Sequence, residues 1–172
     1  FMSKLADKVR ALDQTRLVGA ALEVHRKGYD VIVDDPLGEK LDLVSFNQYG
    51  GWYWELPKEL SKYKFQIKYN KPVVITEVGG DALAGYHADE DTRWSEEFQE
   101  SLYKHQIPFM KTMSGLRGMT PWILTDFRSP RRQHPLFQDF WNRKGLISET
   151  GKKKKAFFVL KDFYDQTEAK YK

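Results

Sequence analysis

Along this chain, uncharged apolar runs alternate with stretches in which apolar residues recur every three or four positions. The clearest run is Lys71-Pro72-Val73-Val74-Ile75-Thr76-Glu77-Val78-Gly79-Gly80. A proline opens it, glycines close it, and its middle lacks polar alternation, which is the pattern of a strand buried on both faces. Such strands belong to parallel sheets covered by helices. Residues 17–22 (LVGAAL) and 41–46 (LDLVSF) predict two further buried strands, and 118–127 (GMTPWILTDF) a last one. Leu5, Val9 and Leu12 form an apolar stripe that predicts a helix over 2–13, with Ser3 as its N-cap. Helices are also predicted over 55–69 (Leu56, Leu60, Tyr63 and Ile67 on one face), over 94–106 starting near Thr92 or Ser95, and over 152–163. Val31-Ile32-Val33 runs into a turn at 34–38, and 128–141 reads as a long loop.

Strands about 25–30 residues apart with helices between them define an α/β class, either an open doubly wound sheet or part of a barrel. A complete eight-stranded barrel takes about 250 residues, and four strands make half of one. No glycine-rich phosphate loop follows the first strand, which argues against a dinucleotide-binding sheet. The first helix feeds directly into the strand at 17–22, so the βα array is expected to continue upstream of Phe1.

Composition adds little to the fold but narrows the function. With 172 residues, 41% hydrophobic and 15% aromatic, the chain can bury one core. Five tryptophans and nine tyrosines also suit surfaces that stack on sugar rings. The net charge of +4 equals the four-lysine run Lys152 to Lys155, which reads as a solvated helix start, so no nucleic-acid partner is expected. No apolar run reaches membrane-span length, and no membrane partner is expected. Cysteine is absent and His25, His87, His105 and His134 are scattered, so neither a disulfide nor a metal site is expected. Compartment and assembly stay open, a homo-oligomer of a full-length enzyme included.

Each strand end offers groups that can do chemistry. Asn47, Tyr49, Trp52 and Tyr53 follow the second strand, Glu77 ends the third, and Trp122 and Asp126 lie in the fourth. In a barrel such ends converge on one mouth. Amides that bond hydroxyls, aromatics that stack and an ionised carboxylate together suit a carbohydrate. Glu77 reads either as that carboxylate or as a strand-end partner for a lysine. A glycosidase also needs a carboxyl to protonate the leaving oxygen. Asp126 reads as that acid or, more simply, as a structural hydrogen bonder beside Phe127.

Four ordered motifs carry a family resemblance: Phe46-Asn47-Gln48-Tyr49-Gly50-Gly51-Trp52-Tyr53, Ile75-Thr76-Glu77-Val78-Gly79, Pro121-Trp122-Ile123-Leu124-Thr125-Asp126-Phe127 and Asn142-Arg143-Lys144-Gly145. Over nearly its whole length the chain resembles the C-terminal half of the catalytic TIM barrel, about strands five to eight, of glycoside hydrolase family 2. The resemblance is closest to the β-glucuronidase and β-galactosidase branch. It implies a retaining exo-β-glycosidase that acts on a β-glycoside carbohydrate without a cofactor. Glu77 would be the catalytic nucleophile, and Asn47, Tyr49, Tyr53 and Trp122 would line the sugar subsite. The family's acid/base glutamate sits in an Asn-Glu pair, and no such pair occurs in these 172 residues. The resemblance therefore implies that this residue, the first barrel half and the preceding β-sandwich domains lie outside the sequence, and that the isolated chain is inactive.

Asn142 and Lys144 match the N-x-K pattern with which β-glucuronidases hold the sugar carboxylate, an amide and an ammonium forming a charge-assisted clamp. Lys144 also reads as a solvated surface charge. Relatives tend to carry an arginine four residues before that asparagine, where this chain has Gln138, and Arg131 and Arg132 are candidates to replace it. The rival readings are a β-galactosidase-like enzyme on neutral sugars and a non-catalytic carbohydrate-binding or structural piece.

Overall fold

The computed structural model describes residues 1–170 and 172. The strands, in chain order, are β1 (His25–Lys27), β2 (Asp30–Val33), β3 (Val44–Gln48), β4 (Lys64–Ile67), β5 (Val73–Val78), β6 (Leu116–Pro121), β7 (Phe127–Arg128) and β8 (Trp141–Asn142). The helices are α1 (Met2–Leu12), α2 (Glu96–Lys111) and α3 (Lys155–Glu168). The described strands form three separate sheets, ordered β1-β2-β4, β3-β5-β6 and β7-β8, and none closes into a barrel. By its contacts the chain divides into two compact units. The first comprises Phe1–Gln48, Ser61–Val78 and Phe109–Thr120, and the second Tyr49–Leu60, Gly79–Pro108 and Pro121–Lys172.

In the first unit, β3 and β5 run parallel as their apolar sequences require, with Val44, Phe46, Val73 and Ile75 almost fully buried. Phe65 stacks on Phe109 at 4.4 Å and meets Phe46 at 6.0 Å. Lys71 Nζ donates to the carbonyls of Gly38, Glu39 and Leu41, which satisfies the C-terminal end of a short 3-10 helix, Pro36–Glu39. Helix α1 forms where its stripe predicts, but its N-cap is Phe1 and not Ser3, which lies inside the first turn, and it buries only Ala6; Leu5, Val9 and Leu12 stay exposed.

Two predicted elements of this unit are corrected. Residues 17–22 form no strand. The Asp42 N–H donates to the Val18 carbonyl and the Val18 N–H to the Asp42 carboxylate, the Leu22 N–H donates to the Ser45 carbonyl, and a lone bridge joins Ala21 to Ser45. Leu17 is 74% exposed, so the run is not buried throughout. The helix expected over 55–69 is instead a 3-10 helix, Pro57–Lys62, followed by β4, which pairs parallel to β2 from Asp30↔Lys64 to Val33↔Ile67. Tertiary pairing overrode the helical spacing of Leu56, Leu60, Tyr63 and Ile67. β2 itself is the second arm of a hairpin whose two-residue turn, Gly28-Tyr29, places Gly28 at φ 60°.

The second unit centres on Trp52, Phe98 and Leu102. Ser95 caps α2: its Oγ accepts the Phe98 N–H at 2.9 Å. Pro108 lies inside the helix, whose end at Lys111 is five residues beyond the predicted one. The predicted strand over 118–127 is two elements. β6 stops at Pro121, the Trp122–Ile123 peptide is cis, and residues 123–126 bond across to 144–147 before β7 begins. That β7 pairs with β8 gives the long loop over 128–141 its closure.

Buried Glu96 binds α3 to this unit, its Oε2 accepting the Lys155 N–H at 3.0 Å and its Oε1 the Gly85 N–H at 2.7 Å. Glu97 does related work. Burial pushes its carboxyl up, but hydrogen bonds from Lys155, His87 and the Ala88 N–H prevail and hold it at about 2, below its ordinary 4.5. A carboxylate held low stabilises the fold fully above its ordinary range and loses that contribution as pH falls toward 2. Denaturant titrations should therefore show the chain losing up to about 3 kcal/mol between roughly pH 5 and 2. The Glu97→Gln variant should start lower and change less over that interval; an identical pH slope would contradict this.

Candidate active site

The first unit holds Glu77 and Asn47. On a straight strand, residues 73, 75 and 77 share one face, and Val73 and Ile75 are buried. Glu77 escapes that face because the register slips. Phe46 pairs with Ile75 but Asn47 pairs with Glu77, so Thr76 is an extra residue on β5. Such a bulge bends the strand and re-aims the side chain that follows. Glu77 is half-buried and stands opposite exposed Asn47 at the C-terminal end of two parallel strands. Thr76 Oγ1 donates to Asn47 Oδ1 at 2.7 Å, which commits the amide oxygen and leaves its N–H2 to donate. A carboxylate beside an amide donor can attack a sugar's anomeric carbon while a hydroxyl is held.

The second unit holds Tyr49, Tyr53, Trp122, Asn142 and Lys144. Tyr49 and Tyr53 pack at 5.1 Å, and Tyr53 is 57% exposed whereas Trp52 is buried. Trp122, half-buried, meets Phe127 edge-on at 6.1 Å. Gly79 has φ 149°, and a Cβ there would come within 2.8 Å of the Trp122 carbonyl oxygen and 2.6 Å of Tyr103 Oη. The close approach the glycines permit in this unit is thus to Tyr103 and Trp122.

Around Lys144 lies a group of buried charges. Lys144 Nζ is 2.5 Å from Asp81 Oδ2, and both side chains are essentially inaccessible. Asp81 Oδ1 accepts the Arg143 N–H at 3.0 Å, and Asn142 Oδ1 accepts the Lys144 N–H at 3.1 Å. Lys154 Nζ, fully buried, donates to Asp126 Oδ1, the Ala82 carbonyl and the Arg143 carbonyl at 2.6–2.9 Å. Arg143 reaches Glu149 at 2.6 Å and Asp126 at 3.5 Å. Burial pushes the Asp126 carboxyl above its usual range against the pull of Lys154, and pushes the Lys154 ammonium below its own against the pull of Asp126.

These contacts change three readings of the sequence. Lys144 is not a solvated surface charge. Asp126 accepts from the Gly145 N–H and from Lys154, and both contacts are those of a structural hydrogen bonder. The run Lys152 to Lys155 is not uniformly solvated, because Lys154 is in the core. Sequence reasoning missed Asp81, Arg143 and Lys154. The one signal for Asp81 was a carboxylate directly after the glycine pair that ends β5; nothing in the lysine run distinguished Lys154. Gln138, buried, accepts the His134 N–H and closes its loop, while Arg131 lies exposed on it.

Parallel strands that end in a carboxylate and an amide are the arrangement that α/β barrels carry at their C-terminal face. The chain belongs to the glycosyl hydrolases family 2, TIM barrel domain, which it matches over residues 1–169. It is 27% identical to a β-glucuronidase of Paenibacillus borealis, over 94% of this chain and 27% of that protein. To the β-glucuronidase of Mus musculus it is 28% identical, over 95% of this chain and 26% of that protein. Among solved structures it is similar to a family 2 β-galacturonidase of Eisenbergiella tayi bound to glycerol, with TM-score 0.76, 26% identity, 96% of this chain and 29% of the other covered. The structure of β-galacturonidase from that organism bound to galacturonate matches in fold with TM-score 0.73, at 24% identity over 96% of this chain and 30% of that one. The chain spans about a quarter of the length of the relatives it matches.

The buried charges give a direct stability test. Lys154→Met leaves Asp126 without its main counter-ion and should cost about 3–5 kcal/mol in denaturant unfolding. Asp126→Asn keeps an acceptor for the Gly145 N–H, so the double variant should lose less than Lys154→Met alone. Simple addition of the two single losses would show that the pair is not coupled.

Proposed function

We propose that the chain is the part of a retaining exo-β-glycosidase barrel that carries the nucleophile, and that the enzyme is β-glucuronidase-like. The observation that carries this reading is the bulge at Phe46/Asn47, which sets Glu77 opposite Asn47 at the strand ends. Glu77 attacks the anomeric carbon; the bond to the leaving oxygen breaks as a carboxyl acid protonates that oxygen, and water then hydrolyses the glycosyl ester with the same group as base. Asp81 and Asp126 are committed to buried lysines, and the chain has no Asn-Glu pair. The acid/base role is therefore assigned outside these residues, in keeping with relatives about four times as long. Asn47, Tyr49, Tyr53 and Trp122 bind the sugar, while Asn142 and Lys144 meet a uronate carboxylate.

One observation favours a second reading. Lys144 already has a carboxylate partner in Asp81, as a structural lysine would in a β-galactosidase-like enzyme on neutral sugars.

In the full-length enzyme, Glu77→Gly should nearly abolish turnover of an aryl β-glucuronide. Azide fits the vacated space and should restore turnover, giving the α-glycosyl azide by a single inversion. A β-glycosyl azide would place the acid/base at this position instead and overturn the assignment.

A further inference from the structure

Asp81 stands outside the sugar-binding set named above, yet its two carboxylate oxygens hold two consecutive residues of the Asn142-Arg143-Lys144 segment. Oδ2 takes the Lys144 ammonium at 2.5 Å and Oδ1 takes the Arg143 backbone N–H at 3.0 Å. One group thereby fixes both the path of the backbone and the end of the lysine's four-carbon stem. On its other sides Lys144 Nζ faces the rings of Trp52 at 5.4 Å and Tyr53 at 5.3 Å. Trp52 is buried and Tyr53 is 57% exposed, so Tyr53 is the ring neighbour of Lys144 that a ligand can reach. A lysine without its counter-ion swings its flexible stem toward water, which removes a located donor.

We propose that Asp81 is the positioning residue for Lys144 and thereby sets the enzyme's preference for uronic-acid sugars. The inference rests on the uronide reading of the proposed function. In it, Asp81 holds Lys144 in place while the site is empty, and the sugar carboxylate shares the ammonium on binding. The pairing of Lys144 with Asp81 then prepares the clamp and does not compete with it.

The test uses the full-length enzyme and the ratio of kcat/KM for p-nitrophenyl β-glucuronide to that for the matching β-glucoside. Lys144 meets the carboxylate in both ground and transition states, so its loss should appear mainly in KM. Asp81→Asn should lower the ratio about 10–100-fold, the scale of one charge-assisted hydrogen bond. Lys144→Met should do the same, and the double variant should be no worse than either single one. Equal losses on both sugars in Asp81→Asn would make Asp81 a purely structural counter-ion and overturn the inference. A drop in the ratio with Lys144→Met but none with Asp81→Asn would overturn the positioning role alone. An unchanged ratio with Lys144→Met would remove the uronide reading and the inference with it. Should Asp81→Asn fail to fold, Asp81→Glu keeps the charge but moves it by one methylene. A lowered ratio there supports positioning, and an unchanged one contradicts it.

Discussion

The interaction on which the second unit depends is a set of charges taken out of water together. Asp81, Asp126, Arg143, Lys144 and Lys154 are all buried, with Glu149 at the edge. Taking one such ion into the interior costs several kcal/mol, so none is tolerable without its partners. The partners come from distant stretches: Asp81 follows β5, Asp126 precedes β7, residues 143 and 144 follow β8, and Lys154 precedes α3. Any register other than the present one would strand a charge. Gly145 belongs to the same constraint, since a Cβ there would lie 2.3 Å from the Asp126 backbone nitrogen. The network is therefore a poor source of net stability and an effective means of specifying how these irregular segments lie.

In the first unit the corresponding constraint is geometric. The apolar faces of β3 and β5 require parallel pairing, and strict alternation would send Glu77 to the buried side with Val73 and Ile75. One extra residue, Thr76, reconciles a buried strand with a half-buried carboxylate at its end, and its hydroxyl fixes the neighbouring amide of Asn47. Core packing and candidate chemistry thus share a strand without sharing a face.

The family was legible in the sequence from four ordered motifs, and the strand carrying Glu77 because it rests on contiguous residues: an apolar run, a terminal carboxylate and a glycine pair. The Ser95 cap was legible for the same local reason. What was not legible depends on distant partners. The spacing of Leu56, Leu60, Tyr63 and Ile67 suits a helix, and only the availability of β2 as a pairing edge makes Lys64–Ile67 a strand. The run 118–127 looked continuous because the bonds that redirect residues 123–126 come from residues 144–147. Burial of Lys144 and Lys154 was hidden because a lysine's surroundings are set by where its carboxylate lies, some 63 and 28 residues away.

The role of Glu77 is the claim on which the functional account turns, and covalent trapping tests it most directly. A 2-deoxy-2-fluoro-β-glucuronosyl fluoride carries a leaving group that needs little protonation, so the nucleophile alone governs the first step. Incubated with the full-length enzyme, it should add one fluoroglycosyl group, and peptide mass spectrometry should place it on Glu77. An adduct on any other carboxylate would contradict the account.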